Sequence, residues 1–400
     1  MSSANNFIKK SLAIIVPELL PVPPVKGGAV EHWVHEASKR LNQTKFDISI
    51  ISRPANSTGI QGVNYIAIPW TKTEHFFYRL KENFSWRNPL RYLAKMQNVA
   101  SYGFRMARLV RNFDLVVIHN EPNLLLFLKS NSQQKITLHM HNEHLSMRIF
   151  RPLYRIALKK VDKIICVSDY IRKNATQNFP EYSHKFTVLF NATDPKVFMP
   201  YGKEALLQVK DVLTIEEDKT YLLYVGRLTE IKGVHVLIKA FEQINLRLPD
   251  TRLIIAGSSF FEGATKTVYE QLLVKLAKPT NQKIIFTGYI PHEKLKYLYS
   301  AADIIVLPSI WQDPCPLVVL EAMASGTCLV SSAVGGVPEV VDNGINALLV
   351  EAENVEALMQ AICNILANPY AMNMMELAAR EKIITKYSWE RLVGELEVML

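Results

Sequence analysis

The chain has 400 residues, 49% of them hydrophobic, with 46 Lys and Arg against 37 Asp and Glu and a formal net charge of +9. That length and apolar content supply two domains of ordinary size, each with its own core, while apolar runs no longer than a strand exclude a chain that crosses a bilayer as helices. Neither an internal repeat nor a low-complexity segment is present. LAIIVPELLPVP is broken too early by Pro to be the apolar core of a signal peptide, so a cytoplasmic location is expected. Cys166, Cys315, Cys328 and Cys363 show no CxxC or metal-type spacing and read as small buried hydrophobes in a reducing compartment. The charge is uneven. Residues 1–200 carry 28 − 13 = +15 and residues 201–400 carry 18 − 24 = −6. A basic half of that size implies an acidic partner, and with no nucleic-acid-binding module in view, an anionic membrane surface or a phosphorylated glycan is the expected one.

In chain order, LAIIVPE is the first buried strand, followed by a Pro-rich loop in which Gly27 and Gly28 stand directly before the helix AVEHWVHEASKRL. Such glycines let backbone approach a ligand, and a helix N-terminus favours a phosphate there. FDISIIS is the second strand. Between Trp70 and Asn112, Phe76, Phe77, Tyr78, Phe84, Trp86 and Tyr92 lie among Arg79, Lys81, Arg87, Arg91 and Lys95, a mixture that suits helices over a sheet or helices at a membrane interface. FDLVVIHNEPNLLL then delivers His119 to the carboxyl end of a strand, and KITLHMHNEHL repeats the arrangement with His139, His141 and His144. His-x-His is a zinc-ligand spacing, but no acid or cysteine cluster completes a first shell, so no metal is expected. VDKIICVSDYIRKNAT and KFTVLFNATDPKVFMP supply strand, helix and strand, with Asn191 and Asp194 in the exit loop. A domain junction is expected near residue 200, followed by a polar linker over 201–219.

TYLLYVGRLTEIKGVHVLIKAF opens the second half as strand, turn and helix, with Gly226, Arg227 and Lys232 at the turn. LIIAGSS and IIFTGYIP are two further strands whose ends carry glycines. Tyr289 and Ile290 follow the second of these. DIIVLPS and CLVSS are buried strands flanking a helix over PLVVLEAMAS, begun at Pro316 and stopped at Gly326. In such a unit, loops at the carboxyl ends of strands face the ligand crevice, which makes Asp313, Glu321, Gly335 and Gly336 site candidates. Seven residues separate the two acids, so both are expected to face one pocket near the positive end of a helix, accepting hydrogen bonds from a polyhydroxylated ligand. Arg227 and Lys232 place two cations on one turn, where they could meet an anionic group of a ligand.

The run WQDPCPLVVLEAMASG followed by GGVPEVVDNG resembles the E-x7-E region of retaining glycosyltransferases of family 4, with Asp313 where the family usually has Glu. GGAVEHWVHEASKRL resembles that family's first glycine-rich loop, and GRLTEIKG its phosphate-binding turn. The resemblance implies an α/β protein of GT-B architecture: two Rossmann-like doubly wound domains facing a central cleft. It divides the chain into an acceptor domain over 1–200, a nucleotide-sugar domain over 201–384, and a C-terminal helix over 385–400 that crosses back to the first domain. It further implies a retaining, metal-independent enzyme that moves a hexose-type sugar from a nucleotide diphosphate, UDP being the commonest case, to a glycolipid or polysaccharide precursor such as lipopolysaccharide core. No cofactor is implied beyond the nucleotide-sugar co-substrate. His119, Arg227, Lys232, Asp313 and Glu321 carry over as catalytic. Gly27, Gly28, Gly226, Tyr289, Ile290, Pro316 and Leu317 join Arg227, Lys232, Asp313 and Glu321 at the donor, and His141 and Asn191 stand at the acceptor. Asn191 lies in NATD, where the family often shows NGVD. Lipid-linked acceptors imply peripheral attachment to the anionic inner face of the plasma membrane. Two alternatives share the frame: a glycan-binding protein that has lost catalysis, and a retaining glycoside phosphorylase.

Overall fold

The computed structural model describes residues 9–25, 28–82, 89–129, 132–209, 216, 218–259, 267–280 and 282–400, with the side chains of 81–82, 89–92, 203, 204 and 206 left aside. Two compact units divide the chain, Met1–Leu189 with Val393–Leu400, and Phe190–Leu392.

The first unit holds seven parallel strands: β1 (Lys10–Ile15), β2 (Phe46–Ser52), β3 (Val63–Ala67), β4 (Leu115–His119), β5 (Lys135–Met140), β6 (Lys163–Cys166) and β7 (Phe186–Val188), in the order β3-β2-β1-β4-β5-β6-β7. The second holds six, also parallel: β8 (Thr220–Val225), β9 (Thr251–Ala256), β10 (Ile284–Gly288), β11 (Ile304–Leu307), β12 (Cys328–Ser332) and β13 (Leu348–Val350), in the order β10-β9-β8-β11-β12-β13. Each sheet grows in one direction from its first strand and then reverses, which makes each unit doubly wound in the Rossmann manner. The central strands are continuous apolar runs because helices cover both faces; β8 is TYLLYV and buried after its first residue, and β11, IIVL, is buried throughout.

The strands missing from the sequence reading, β3 and β13, are both edges. Their residues are mostly half-buried, VNYIA carries a polar Asn, and LLV is three residues long, so neither has a buried strand's signature. The expected polar linker over 201–219 contains a helix, Lys203–Val209, which buries Ala205 and Val209, four residues apart on one helical face. Phe76, Phe77 and Tyr78 lie in the helix Lys72–Glu82, and Lys95 in the helix Pro89–Leu109; Phe84, Trp86, Arg87 and the side chains of Lys81, Arg91 and Tyr92 lie outside the described residues. No described helix is long and apolar enough to cross a membrane. The last helix, Trp389–Met399, runs across the division of the chain. Glu397 near its end accepts from the Asn42 N–H at 2.8 Å and pairs with Lys45 at 2.9 Å, both within the first unit.

Candidate active site

In the second unit the sheet reverses direction between β8 and β11; loops leaving β8, β9 and β10 build one pocket, and those leaving β8 and β11 contribute to an adjoining one. One, of about 170 Å³, is lined by Gly226, Arg227, Gly257, Tyr289 and Ile290 among others, with an apolar wall to which Ile290 is buried and Tyr289 is half exposed. The other, of about 50 Å³, is lined by Lys232, Ser309, Asp313, Pro316 and Val319, and shares Val225 and Gly226 with the first. Lys232 and Asp313 form an ion pair inside it, and the Lys232 ammonium lies 5.4 Å from the ring centre of Trp311.

Local chain geometry explains this placement. Lys232 ends a single helical turn, Glu230–Lys232, that closes on Gly233 at φ 69°; a Cβ there would stand 1.9 Å from the Pro308 carbonyl oxygen, so only glycine lets the turn lie against the end of β11. Gly335, at φ 56°, does the same for Asp313, whose carbonyl oxygen would be 2.1 Å from an added Cβ. The neighbouring Gly336 N–H donates to that carbonyl at 2.8 Å, and the Gly335 N–H donates to the Gln312 side chain at 2.7 Å. The GGVPEV loop therefore clasps the side chain of Gln312 and the backbone of Asp313. On the other side, the Tyr224 hydroxyl donates to the Arg227 carbonyl at 2.9 Å and holds the start of the GRLTEIKG turn.

Glu321 departs from the expectation of one pocket shared with Asp313. It lies in the second turn of the helix Leu317–Ala324, 7% exposed, and neither it nor Leu317 lines either pocket. Its carboxylate is held from the helix His292–Ala301: Tyr299 donates its hydroxyl to one oxygen at 2.9 Å, and His292 Nε2 lies 3.0 Å from the other. Burial, and then the Glu321 charge, push the Tyr299 hydroxyl well above its ordinary value, so it remains a donor at any pH the chain meets. Sequence reasoning passed over both partners. They are seven residues apart in HEKLKYLYSA, on one helical face, but nothing local ties that face to Glu321. Asn191 belongs to the second unit, where its side-chain amide donates to the Cys315 carbonyl at 2.9 Å and steadies the loop that carries Asp313.

In the first unit, the ends of β4 and β5 bring three imidazoles together. His119 pairs in register with His139, and His119 Nδ1 is 3.0 Å from His141 Nε2. Trp33, on the helix Ala29–Arg40, has its ring centre 4.7 to 5.5 Å from all three. Burial lowers the basicity of each: His119 and His139 are held well below the usual histidine range, and His141 is pushed down to about 3, so the cluster is neutral. One ring nitrogen from each lies within 4.8 Å of those of the other two, and all are of the zinc-ligand type. Two of them, however, are already paired with each other, and the Trp33 indole packs on every ring. Gly28 directly precedes the Trp33 helix; Gly27 lies outside the described residues. Glu31, in the first turn of that helix and 4% exposed, has its carboxyl pushed up to about 7 by burial.

Comparison with known proteins gives the family. Residues 27–197 match the profile described as Glycosyltransferase Family 4, and residues 208–382 that described as Glycosyl transferases group 1. YtcC of Bacillus subtilis, whose name marks it provisionally as a glycosyltransferase, is 30% identical over 97% of this chain and 91% of its own. The chain belongs to glycosyltransferase family 4. Another relative of this family 4 glycosyltransferase is the lipopolysaccharide 1,2-N-acetylglucosaminetransferase of Salmonella typhimurium, 26% identical over 98% of each chain. Among solved structures, HepE of Anabaena in complex with UDP and glucose superposes with a TM-score of 0.72 at 16% identity, covering 97% of this chain and 98% of its own. Sucrose-phosphate synthase of Thermosynechococcus elongatus gives 0.74 at 21% identity, with 98% of each chain covered. These likenesses establish the GT-B fold.

Proposed function

We propose that this glycosyltransferase moves a hexose from UDP-hexose, with retention of anomeric configuration and without a metal ion, to a glycolipid or polysaccharide precursor of the lipopolysaccharide-core type. The observation that carries the reading is the pair of adjoining pockets at the sheet reversal of the second unit, one apolar with Arg227 at its edge, the other holding Lys232 and Asp313. A base and ribose fit the first, where Ile290 supplies an apolar wall and Tyr289 an exposed ring; the diphosphate lies past Gly226 between Arg227 and Lys232; the sugar reaches Asp313. HepE, of the same fold, binds UDP and glucose, and the Salmonella relative acts on lipopolysaccharide.

The chemistry follows from that order. As the bond from the anomeric carbon to the β-phosphate oxygen breaks, negative charge gathers on the diphosphate, and two cations, the partly buried Lys232 and the exposed Arg227, stabilise it. The departing phosphate oxygen takes the proton of the acceptor hydroxyl, which attacks the same face of the sugar and so preserves configuration. By the family resemblance, His119 serves the transferred sugar and His141 the acceptor, each as a neutral hydrogen-bonding group. Glu321 lies outside both pockets, its carboxylate held by Tyr299 and His292. Phe76, Leu93, Phe104, Ile149 and Ile156 are all exposed on the basic first unit, and together with its charge they support attachment to anionic lipid.

Calorimetry with UDP-, GDP- and ADP-hexoses, followed by transfer to a lipid-linked oligosaccharide and assignment of the product anomer by NMR, tests the proposal. A UDP-hexose should bind tightest and the product should retain the donor configuration, with EDTA leaving the rate unchanged. An inverted product, or activity lost in EDTA and restored by manganese, would overturn it. Binding without any transfer would favour a glycan-binding protein instead.

A further inference from the structure

Beyond the His119–His139 pair, β4 and β5 no longer continue as a ladder, and one residue carries the connection further. Asn120 sits at φ 57°, the left-handed region that Asn and Asp tolerate best after glycine. Its N–H donates to the His139 carbonyl at 2.8 Å, and its side-chain Oδ1 accepts from the His141 N–H at 3.1 Å. Its own carbonyl oxygen lies 2.7 Å from His144 Nδ1. A carbonyl only accepts, so this last bond places the proton of His144 on Nδ1 and leaves Nε2 with the lone pair. The turn and the amide are thus both used. The turn aims Asn120 back toward β5, and the amide locks the backbone of His141.

We infer that Asn120 is a positioning residue for glycosyl transfer, holding His119, His141 and His144 in one fixed arrangement at the end of the first sheet. The inference rests on the proposed places of His119 at the sugar and His141 at the acceptor. Asn is the residue that meets all the demands. Glycine would keep the backbone angle and lose the bond to His141; alanine would lose both; aspartate would keep both while setting a carboxylate beside imidazoles that burial holds neutral. Other charged groups near the cluster are Glu121 and Lys95, 3.3 Å apart, which act on His144 in opposite directions. His119, His139 and His141 otherwise face one another and Trp33.

The test uses the full chain with Asn120→Gly, Asn120→Ala and Asn120→Asp, reading melting temperature, kcat, donor KM, and the histidine ring resonances against pH. Asn120→Gly should fold as the wild type and keep its donor KM while kcat falls about tenfold or more, the scale of a misplaced reacting group. Asn120→Ala should lose more. Asn120→Asp should recover much of the glycine variant's loss, with the imidazole titrations and the pH profile of kcat/KM both displaced upward. Wild-type kcat in Asn120→Gly, or imidazole titrations unmoved by Asn120→Asp, would overturn the inference. The resonance measurement needs no turnover, so displaced titrations alongside an inactive wild type would count against the proposed function and leave the positioning of the imidazoles standing.

Discussion

Replacing Lys232 by Ala removes one cation from the path of the diphosphate and leaves Asp313 without its counter-charge. The two side chains are 19% and 13% exposed, so the pair is neither a screened surface contact nor fully dry. Unit charges about 4 Å apart in such surroundings, with an effective dielectric constant of about 20, interact by about 4 kcal/mol. In the ground state the ammonium is shared with Asp313; as the sugar leaves, the phosphate oxygen gains the charge that competes for it. Loss of one preorganised contact of this type costs about 2.7 to 4 kcal/mol, or about a hundred- to a thousandfold in turnover. An unpaired Asp313 would repel the same diphosphate, so Lys232→Ala with Asp313→Asn should be faster than Lys232→Ala alone. Single-turnover transfer at saturating donor, with UDP affinity measured separately by calorimetry, separates chemistry from binding. Turnover of Lys232→Ala within about threefold of wild type at saturating donor would refute the assignment of Lys232 to the leaving group.

Glu31 stays protonated in the folded chain up to about pH 7, against a normal value of 4.5, because burial disfavours its carboxylate. Folding therefore takes up a proton between those values, stability falls as pH rises across that window and is level above it, and Glu31→Gln should abolish the slope; urea unfolding of both proteins at about pH 5 and about pH 8 would contradict this if the gap between them were the same at each. Glu74 is fully buried between Arg53, itself 2% exposed, and Arg105, at 3.1 and 2.6 Å. Glu74→Ala leaves the buried Arg53 charge with backbone carbonyl acceptors alone and should cost about 3 to 5 kcal/mol in denaturant unfolding, and a loss below about 1 kcal/mol would show the network to be well hydrated. If the basic first half binds anionic lipid, replacing Arg79, Lys81, Arg87 and Arg91 by Gln should weaken vesicle binding by at most about 1 kcal/mol per charge, and donor binding should be untouched. Equal co-sedimentation of the two proteins at low salt would show that these four charges do not hold the protein to lipid.

Much of the architecture was legible in the linear chain because it depends on neighbours in sequence. FDISIIS, DIIVLPS and CLVSS read as buried strands from unbroken apolar composition, and PLVVLEAMAS as a helix between Pro316 and Gly326; all four appear at those positions. Clustering Arg227 and Lys232 on one turn was equally local. What the sequence could not determine is which strand ends meet. His119 and His139 are brought into register only because β4 pairs with β5, and Asn120 acquires three partners only where those strands part. Glu321 illustrates the same limit: spacing put it beside Asp313, whereas the packing of the helices Leu317–Ala324 and His292–Ala301 gives its carboxylate to Tyr299 and His292. A carboxylate in a buried helix must find donors to offset its lost hydration, but which donors it finds is decided by the order of strands and the packing of helices, and neither is written in the spacing of any one segment.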